Sequence, residues 1–241
     1  MPDKDCYLPV QVGSALHKAV GYTPDNTGDN ISEKNPYYCE LTGLYWAWKN
    51  LPADVIGLVH YRRYMGKKNG IVGLIQRQRD PLGSILDGKD IEKLMEKSDI
   101  ILPKKRKYYI ETLYSHYAHT HYAEHLDITR EVLNQLCPEY VPAFDRVMKR
   151  TSGHMFNMFI MKREKCNAYC EFLFPVLGEI EKQIDVTKLS SFQARVFGRI
   201  SELLLDVWIE ANRESYVEAP LVNIEKTNWG KKGSAFLRAI G

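Results

Sequence analysis

Val55-Ile56-Gly57-Leu58-Val59-His60-Tyr61-Arg62-Arg63-Tyr64-Met65 passes in one step from an apolar run to a cluster of cations and phenols. The run is short, continuous and rich in β-branched residues, which predicts a buried parallel strand over 55–59. Open α/β sheets bind ligands just beyond the carboxyl ends of such strands. The sequence therefore delivers His60, Tyr61, Arg62, Arg63 and Tyr64 to the place where an α/β protein holds its ligand. A guanidinium is a planar fork that matches phosphate oxygens at two points. His60 could bind a phosphate or stabilise a leaving diphosphate. Neighbours in an extended stretch point opposite ways, so one arginine is expected on the ligand and the other in a structural ion pair. The plainer alternative has both tying loops to carboxylates.

Working outward, Asn35-Pro36 reads as a helix start, with Tyr38, Leu41, Tyr45 and Trp48 on one face and Pro52 beyond the end. Residues 66–89 form a long connection rich in Gly, Lys, Arg and Gln, and Asp90 can cap a short helix after it. Residues 99–102 read as a second buried strand and 154–161 as a third, with Asn157 inside it needing partners. Helices are expected over 111–137, from Pro142, over 163–184 with a kink at Pro175, and from Gly198 with Glu202 near the start. Strands separated by helices make the fold class α/β, a single domain of 1–241. Within it, residues 1–110 are expected to form one half, 111–225 a helix-rich half, and 226–241 a basic tail.

The totals exclude several classes. A net charge of +3 over 241 residues is too mild for a nucleic-acid binder. Five cysteines, an odd number without a CxxC pair, read as reduced cytoplasmic thiols. No run approaches ~18 apolar residues, so no membrane span is expected. Lys104-Lys105-Arg106-Lys107 and the tail could touch an anionic surface at the inner face of the membrane, although a solvated basic turn is the commoner role.

Other candidates are more scattered. Gly28-Asp29-Asn30 could carry a ligand contact or form a solvated turn. His116, His119 and His121 share no helical metal spacing, since 116 and 119 lie on one face and 121 points away, so acceptor contacts or ordinary packing are expected there instead of a metal. Glu202 is the carboxylate expected to act as general base, kept ionised by a helix N-terminus, the plainer alternative being that it only complements that terminus.

Taken in order, GDNISEKNPYYCELTGLYWAWKN, DVIGLVHYRRYM, DIILPKKRKYYIETLYSHYAHTH, HMFNMFIMKREKCNAYC and GRISELLLDVWIEAN resemble a bacterial family first catalogued as a domain of unknown function, of which HYRRY is the most distinctive motif. Its members are regarded as capsular or exopolysaccharide biosynthesis glycosyltransferases, and some resemble galactofuranosyltransferases. The resemblance implies a GT-A-like nucleotide-sugar-binding fold, a UDP-galactofuranose donor and a lipid-linked saccharide acceptor. On this reading 1–110 is the donor-binding half and 111–225 the acceptor and catalytic half, and the candidates above are expected to divide as Glu202 and His60 catalytic, Arg62, Arg63, Tyr61, Asp29, Asn30 and Asn157 on the donor, and His116, His119 and His121 on the acceptor. GT-A enzymes often hold a divalent metal at an Asp-x-Asp. The comparable place here reads His60-Tyr61-Arg62, so cationic side chains are expected to replace the metal and no cofactor is expected. Two departures stand out. A first strand of the type Lys-Ile-x-Val-Ala-Thr-His is missing, and Leu203 stands where the family has Arg in Ser-Glu-Arg-Leu. The missing strand motivates a competing reading, a non-catalytic nucleotide-sugar or saccharide-binding protein.

Overall fold

A computed structural model describes Pro2 and residues 4–224. The basic tail at 226–241 lies outside them. The described residues form a mixed four-stranded sheet, in the order β3 (Val55–Leu58), β8 (Phe159–Lys162), β5 (Ile100–Pro103), β9 (Val217–Ala219). β8 runs antiparallel to both neighbours, and β5 pairs parallel with β9. Thus β3, β5 and β9 share one direction. Short pairs surround this sheet. β1 (Val10–Gln11) pairs with β2 (Thr23–Pro24), β4 (Arg63–Met65) with β10 (Leu221–Asn223), and β6 (Arg106–Lys107) with β7 (Ser152–Gly153).

The helices are α1 (Asn35–Tyr38), α2 (Leu41–Asn50), α3 (Gly70–Arg79), α4 (Gly88–Met95), α5 (Leu113–Thr120), α6 (Ala123–Leu136), α7 (Val141–Met148), α8 (Arg163–Gln183) and α9 (Val196–Ala211). Alternating side chains on the strands meet two different layers, as the pleat requires. Ile56, Ile100, Leu102, Phe159 and Met161 enter the main core with α2, α6, α7, α8 and α9. Ile101 and Ile160 point the other way, into a smaller cluster against α4. Both faces of β5 are therefore buried, which explains its unbroken apolar sequence. α9 lies at the centre: nearly every residue from Val196 to Ile209 is buried.

Several expectations need correction. β3 is neither flanked by a parallel strand nor buried on both faces. Among the described residues its only partner in the sheet is antiparallel β8, and Val55 and Gly57 are exposed while Ile56 is buried. The helix from Asn35 is interrupted at Cys39, whose φ is 54°. There the Asn35 side chain donates to Cys39 O at 2.8 Å, and α9 approaches so closely that a Cβ on Gly198 would stand 3.1 Å from Cys39 Sγ. The third strand begins at Phe159, because Phe156 (φ 77°) and Asn157 (φ 53°) are left-handed and cannot extend a strand. The long connection contains α3, and Asp87, not Asp90, caps α4, in a reciprocal box with Asp90. α8 continues as one helix through Pro175. α9 begins at Val196, so Glu202 falls in its second turn.

Candidate active site

The carboxyl ends of β3, β5 and β9 and the start of β8 meet at one edge of the sheet, as the strand directions require. Two hollows open there. The larger is a groove of about 1500 Å³, lined along β3 by Val55 to Tyr61 and opposite by Tyr7, Cys39, Glu40 and Arg195. The smaller is a pocket of about 190 Å³, lined by Arg106, Tyr108, His116, Tyr117, His121, Phe156, Arg199 and Glu202 among others. The left-handed turn at Phe156-Asn157 stands between them, because it holds groove residues on one side and pocket residues on the other.

Its bonds are specific. His60 Nε2 lies 2.5 Å from the Phe156 carbonyl oxygen, so that nitrogen carries the proton and donates. Asn157 donates from Nδ2 to Glu40 Oε1 and to Gly198 O, each at 2.8 Å, and accepts from Ser201 Oγ at 2.8 Å. The Phe156 amide donates to Glu202 Oε2 at 3.0 Å, and the Arg63 guanidinium stacks over the Phe156 ring at 4.4 Å. A costly backbone conformation persists only where its surroundings over-determine it. Here five side chains, His60 just beyond β3, Arg63 on β4, Ser201 and Glu202 on α9 and Glu40 at the α1–α2 junction, do so. The segment leading in is held as well. Buried His154 places Nδ1 2.5 Å from Asp206 Oδ1 and Nε2 3.0 Å from Glu218 Oε1, and its amide donates to Asp206 Oδ2.

Glu202 is the electrostatic centre. Burial pushes its carboxyl up to about 7, and the Phe156 amide, which favours the ionised form, offsets only part of this. Nearby Glu40 raises it further, whereas Arg106 and Arg199 lower it. The expected cause, a helix N-terminus holding Glu202 ionised, is replaced by its opposite. In the second turn the helix dipole is weak and desolvation dominates.

His116 and His121 line the pocket with Glu202. His119 is more exposed and shares Glu111 with His116, at 2.7 and 2.6 Å. These hydrogen bonds, that from His116 foremost, hold the Glu111 carboxyl below its usual range. Burial pushes His121 down, and its Nδ1 lies 2.8 Å from Arg199 Nη1 and 2.8 Å from Gln193 Oε1. His60 and Tyr61 line the groove. Tyr61 and Arg62 form the exposed tip of a tight reversal closed by paired His60 and Arg63 backbone bonds, with the Arg62 guanidinium 4.6 Å from the Tyr61 ring. Asp29 and Asn30 line neither hollow. Asp29 accepts from Tyr45 and bonds through its backbone with Asn50, while Asn30 closes its own turn.

Sequence reasoning missed Glu40, Arg106 and Arg199. Arg106 was hidden in a basic run that reads as a solvated turn, and Arg199 directly precedes the Ile200-Ser201-Glu202 stretch. Nothing local marks Glu40. The place after β3 holds His60, Tyr61 and Arg62 and no Asp-x-Asp. Among the described residues no cluster of three or more His, Cys, Asp or Glu side chains could hold a metal ion. No helix of the described residues is long and apolar enough to cross a membrane.

The chain is similar to the solved apo structure of WbbM, a bifunctional glycosyltransferase, with 29% sequence identity and a TM-score of 0.82. The match covers 93% of this chain and 43% of that one. The chain thus spans less than half the length of that relative, and its α/β fold is that of a glycosyltransferase structure. Comparison with curated proteins gives no match. A family model, domain of unknown function DUF4422, matches residues 1–213, and the chain belongs to that family.

Proposed function

We propose that the chain is a glycosyltransferase that moves a sugar from a nucleotide-sugar donor to a saccharide acceptor. One observation carries this reading: a carboxyl at about 7 faces a small pocket at the carboxyl edge of the sheet, in a fold shared with a glycosyltransferase. A general base works best when its pKa lies near the working pH. Glu202 Oε1 would take the proton of the acceptor hydroxyl. The freed oxygen attacks the anomeric carbon, and the bond from that carbon to the diphosphate breaks with its electron pair leaving on the phosphate oxygen. His60, which lines the groove, and the neighbouring Arg62 and Arg63, which do not line it, would stabilise that charge. The large groove suits the donor, since it has the room a nucleoside diphosphate sugar needs. The family resemblance favours UDP-galactofuranose as donor and a growing, lipid-linked capsular, exopolysaccharide or O-antigen saccharide as acceptor, handled on the cytoplasmic side of the membrane.

The test is a thermal-shift screen of nucleotide sugars followed by a transfer assay with the stabilising donor. The double variant Arg62→Ala/Arg63→Ala is expected to stay folded and lose transfer, and a chelator is expected to leave wild-type transfer unchanged. Wild-type-like turnover in the double variant would remove these arginines from the site. Activity lost with chelator and restored by manganese would reinstate a metal.

A further inference from the structure

The small pocket contains more cationic groups than a general base needs. Arg106 and Arg199 both reach it, beside His116 and opposite Glu202. Arg199 is half-buried, and its contacts are with neutral groups: His121 Nδ1 at 2.8 Å, Gln193 Oε1 at 3.3 Å and the face of Phe192 at 4.1 Å. Arg106 lies over the Tyr108 ring at 4.9 Å. Among the described residues neither guanidinium is joined to a carboxylate in an ion pair, although Glu202 is close enough to feel both. Holding a guanidinium partly out of water without an anion is unfavourable, and Arg199 is the more buried of the two. Two such forks converging on one hollow make a site for a compact anion.

The size of the pocket says which ligand. About 190 Å³ admits a single saccharide unit but falls below the several hundred Å³ of typical cofactor sites. The nucleotide has the groove on the other side of the Phe156-Asn157 turn. Leu203 and Met155 give the pocket an apolar wall for a sugar face, and Glu202 lies within it to meet a hydroxyl. We propose that Arg106 and Arg199 select an acceptor whose terminal sugar carries an anion, a uronate carboxylate or a phosphate, near the hydroxyl that is glycosylated. This rests on the assignment of Glu202 to the acceptor side and deepens it by naming the acceptor's chemistry.

Equilibrium binding tests it without needing transfer. The full chain is titrated by calorimetry with methyl glucuronide, glucose 1-phosphate and neutral methyl glucoside, and the titrations are repeated with Arg106→Gln and Arg199→Gln. Arg106 is exposed on a two-residue strand, so its variant is expected to fold even where the Arg199 variant does not. The anionic sugars should bind at least tenfold more tightly than methyl glucoside, and each variant should lose about tenfold of that preference, the worth of one charge-assisted hydrogen bond. The uronate and phosphate arms identify the anion by which binds more tightly. Equal binding of charged and neutral sugars, absence of binding by either anion up to ~20 mM, or a preference intact in Arg106→Gln would overturn the proposal. So would an equal loss of UDP affinity in the variants, which would give the arginines to the donor diphosphate. A chain that binds the uronate through these arginines but transfers no sugar would refute the transferase reading alone.

Discussion

Glu202 meets opposed demands. As the proposed general base it would work through its carboxylate, while its surroundings favour the acid. The group stands at about 7 in the folded chain against an ordinary 4.5. Between those values the folded state holds a proton that the unfolded state has lost, so stability falls as pH rises through that window. The penalty is absent below about 4.5 and complete above about 7. Transfer that depends on the ionised form should therefore climb with pH through about 7 and level off. Glu202→Gln keeps an oxygen to accept the Phe156 amide but has no charge to desolvate. It should lose at least 10²-fold in kcat and yet melt about 3–6 °C above wild type at pH 8, corresponding to ~1–2 kcal/mol after allowance for partial solvent contact. Near pH 4.5 the two should melt together. Parallel pH–rate and pH–melting profiles check this, and a pH-independent difference in melting would point to packing instead of charge. The sequence singled out Glu202 as the base but assigned the wrong electrostatic cause, because burial is a property of the folded neighbourhood and leaves no mark in Gly198-Arg199-Ile200-Ser201-Glu202.

At the scale of elements, strands and helices were legible where their pattern was local. β5, both consecutive helices α5 and α6, and the length of α8 follow from periodicity and capping residues. The exceptions lie where a distant contact overrules a local pattern. His154 to Met161 reads as a strand, but the His154–Asp206 pair and the bonds around Asn157 fold its first half into a left-handed turn. The Cys39 break is fixed by α9, more than 150 residues away in sequence. Asp206 is the anchor of the first of these contacts: it is buried, receives the His154 amide and faces the His154 ring. Asp206→Ala should destabilise the fold by about 3–5 kcal/mol, because it strands two buried donors, the His154 amide and its Nδ1, at about 1–3 kcal/mol each. His154→Ala in the same background should add little, because the pair acts as a unit. Urea melts of the two single variants and the double variant would show this as strong non-additivity, and additive losses would mean the two residues act separately.

At the scale of the whole molecule, the shared direction of β3, β5 and β9 gathers one edge of the sheet into a site, and the Phe156-Asn157 turn divides that site in two. The α/β class was visible in the sequence. The division was not, since Glu40, Arg106 and Arg199 come from three separate parts of the chain and meet only through the sheet. If the groove takes the donor and the pocket the acceptor, variants should sort by side. Arg62→Ala should raise the donor KM with little change in the acceptor KM, and Arg106→Gln should do the reverse. Asn157 bonds Glu40 on the groove side and Ser201 and Gly198 on α9, so its loss should loosen both sides at once. Asn157→Gly, which tolerates the positive φ but removes the amide, is expected to lower kcat by about tenfold or more, since small misplacement of reacting groups is expensive. It should raise both KM values less than kcat falls. Asn157→Ala adds backbone strain and should also lower the melting temperature. Two-substrate kinetics on these four variants, with melting curves for the last two, decide the matter: a turn variant that moves only one KM would make the turn part of a single subsite and not the wall between two.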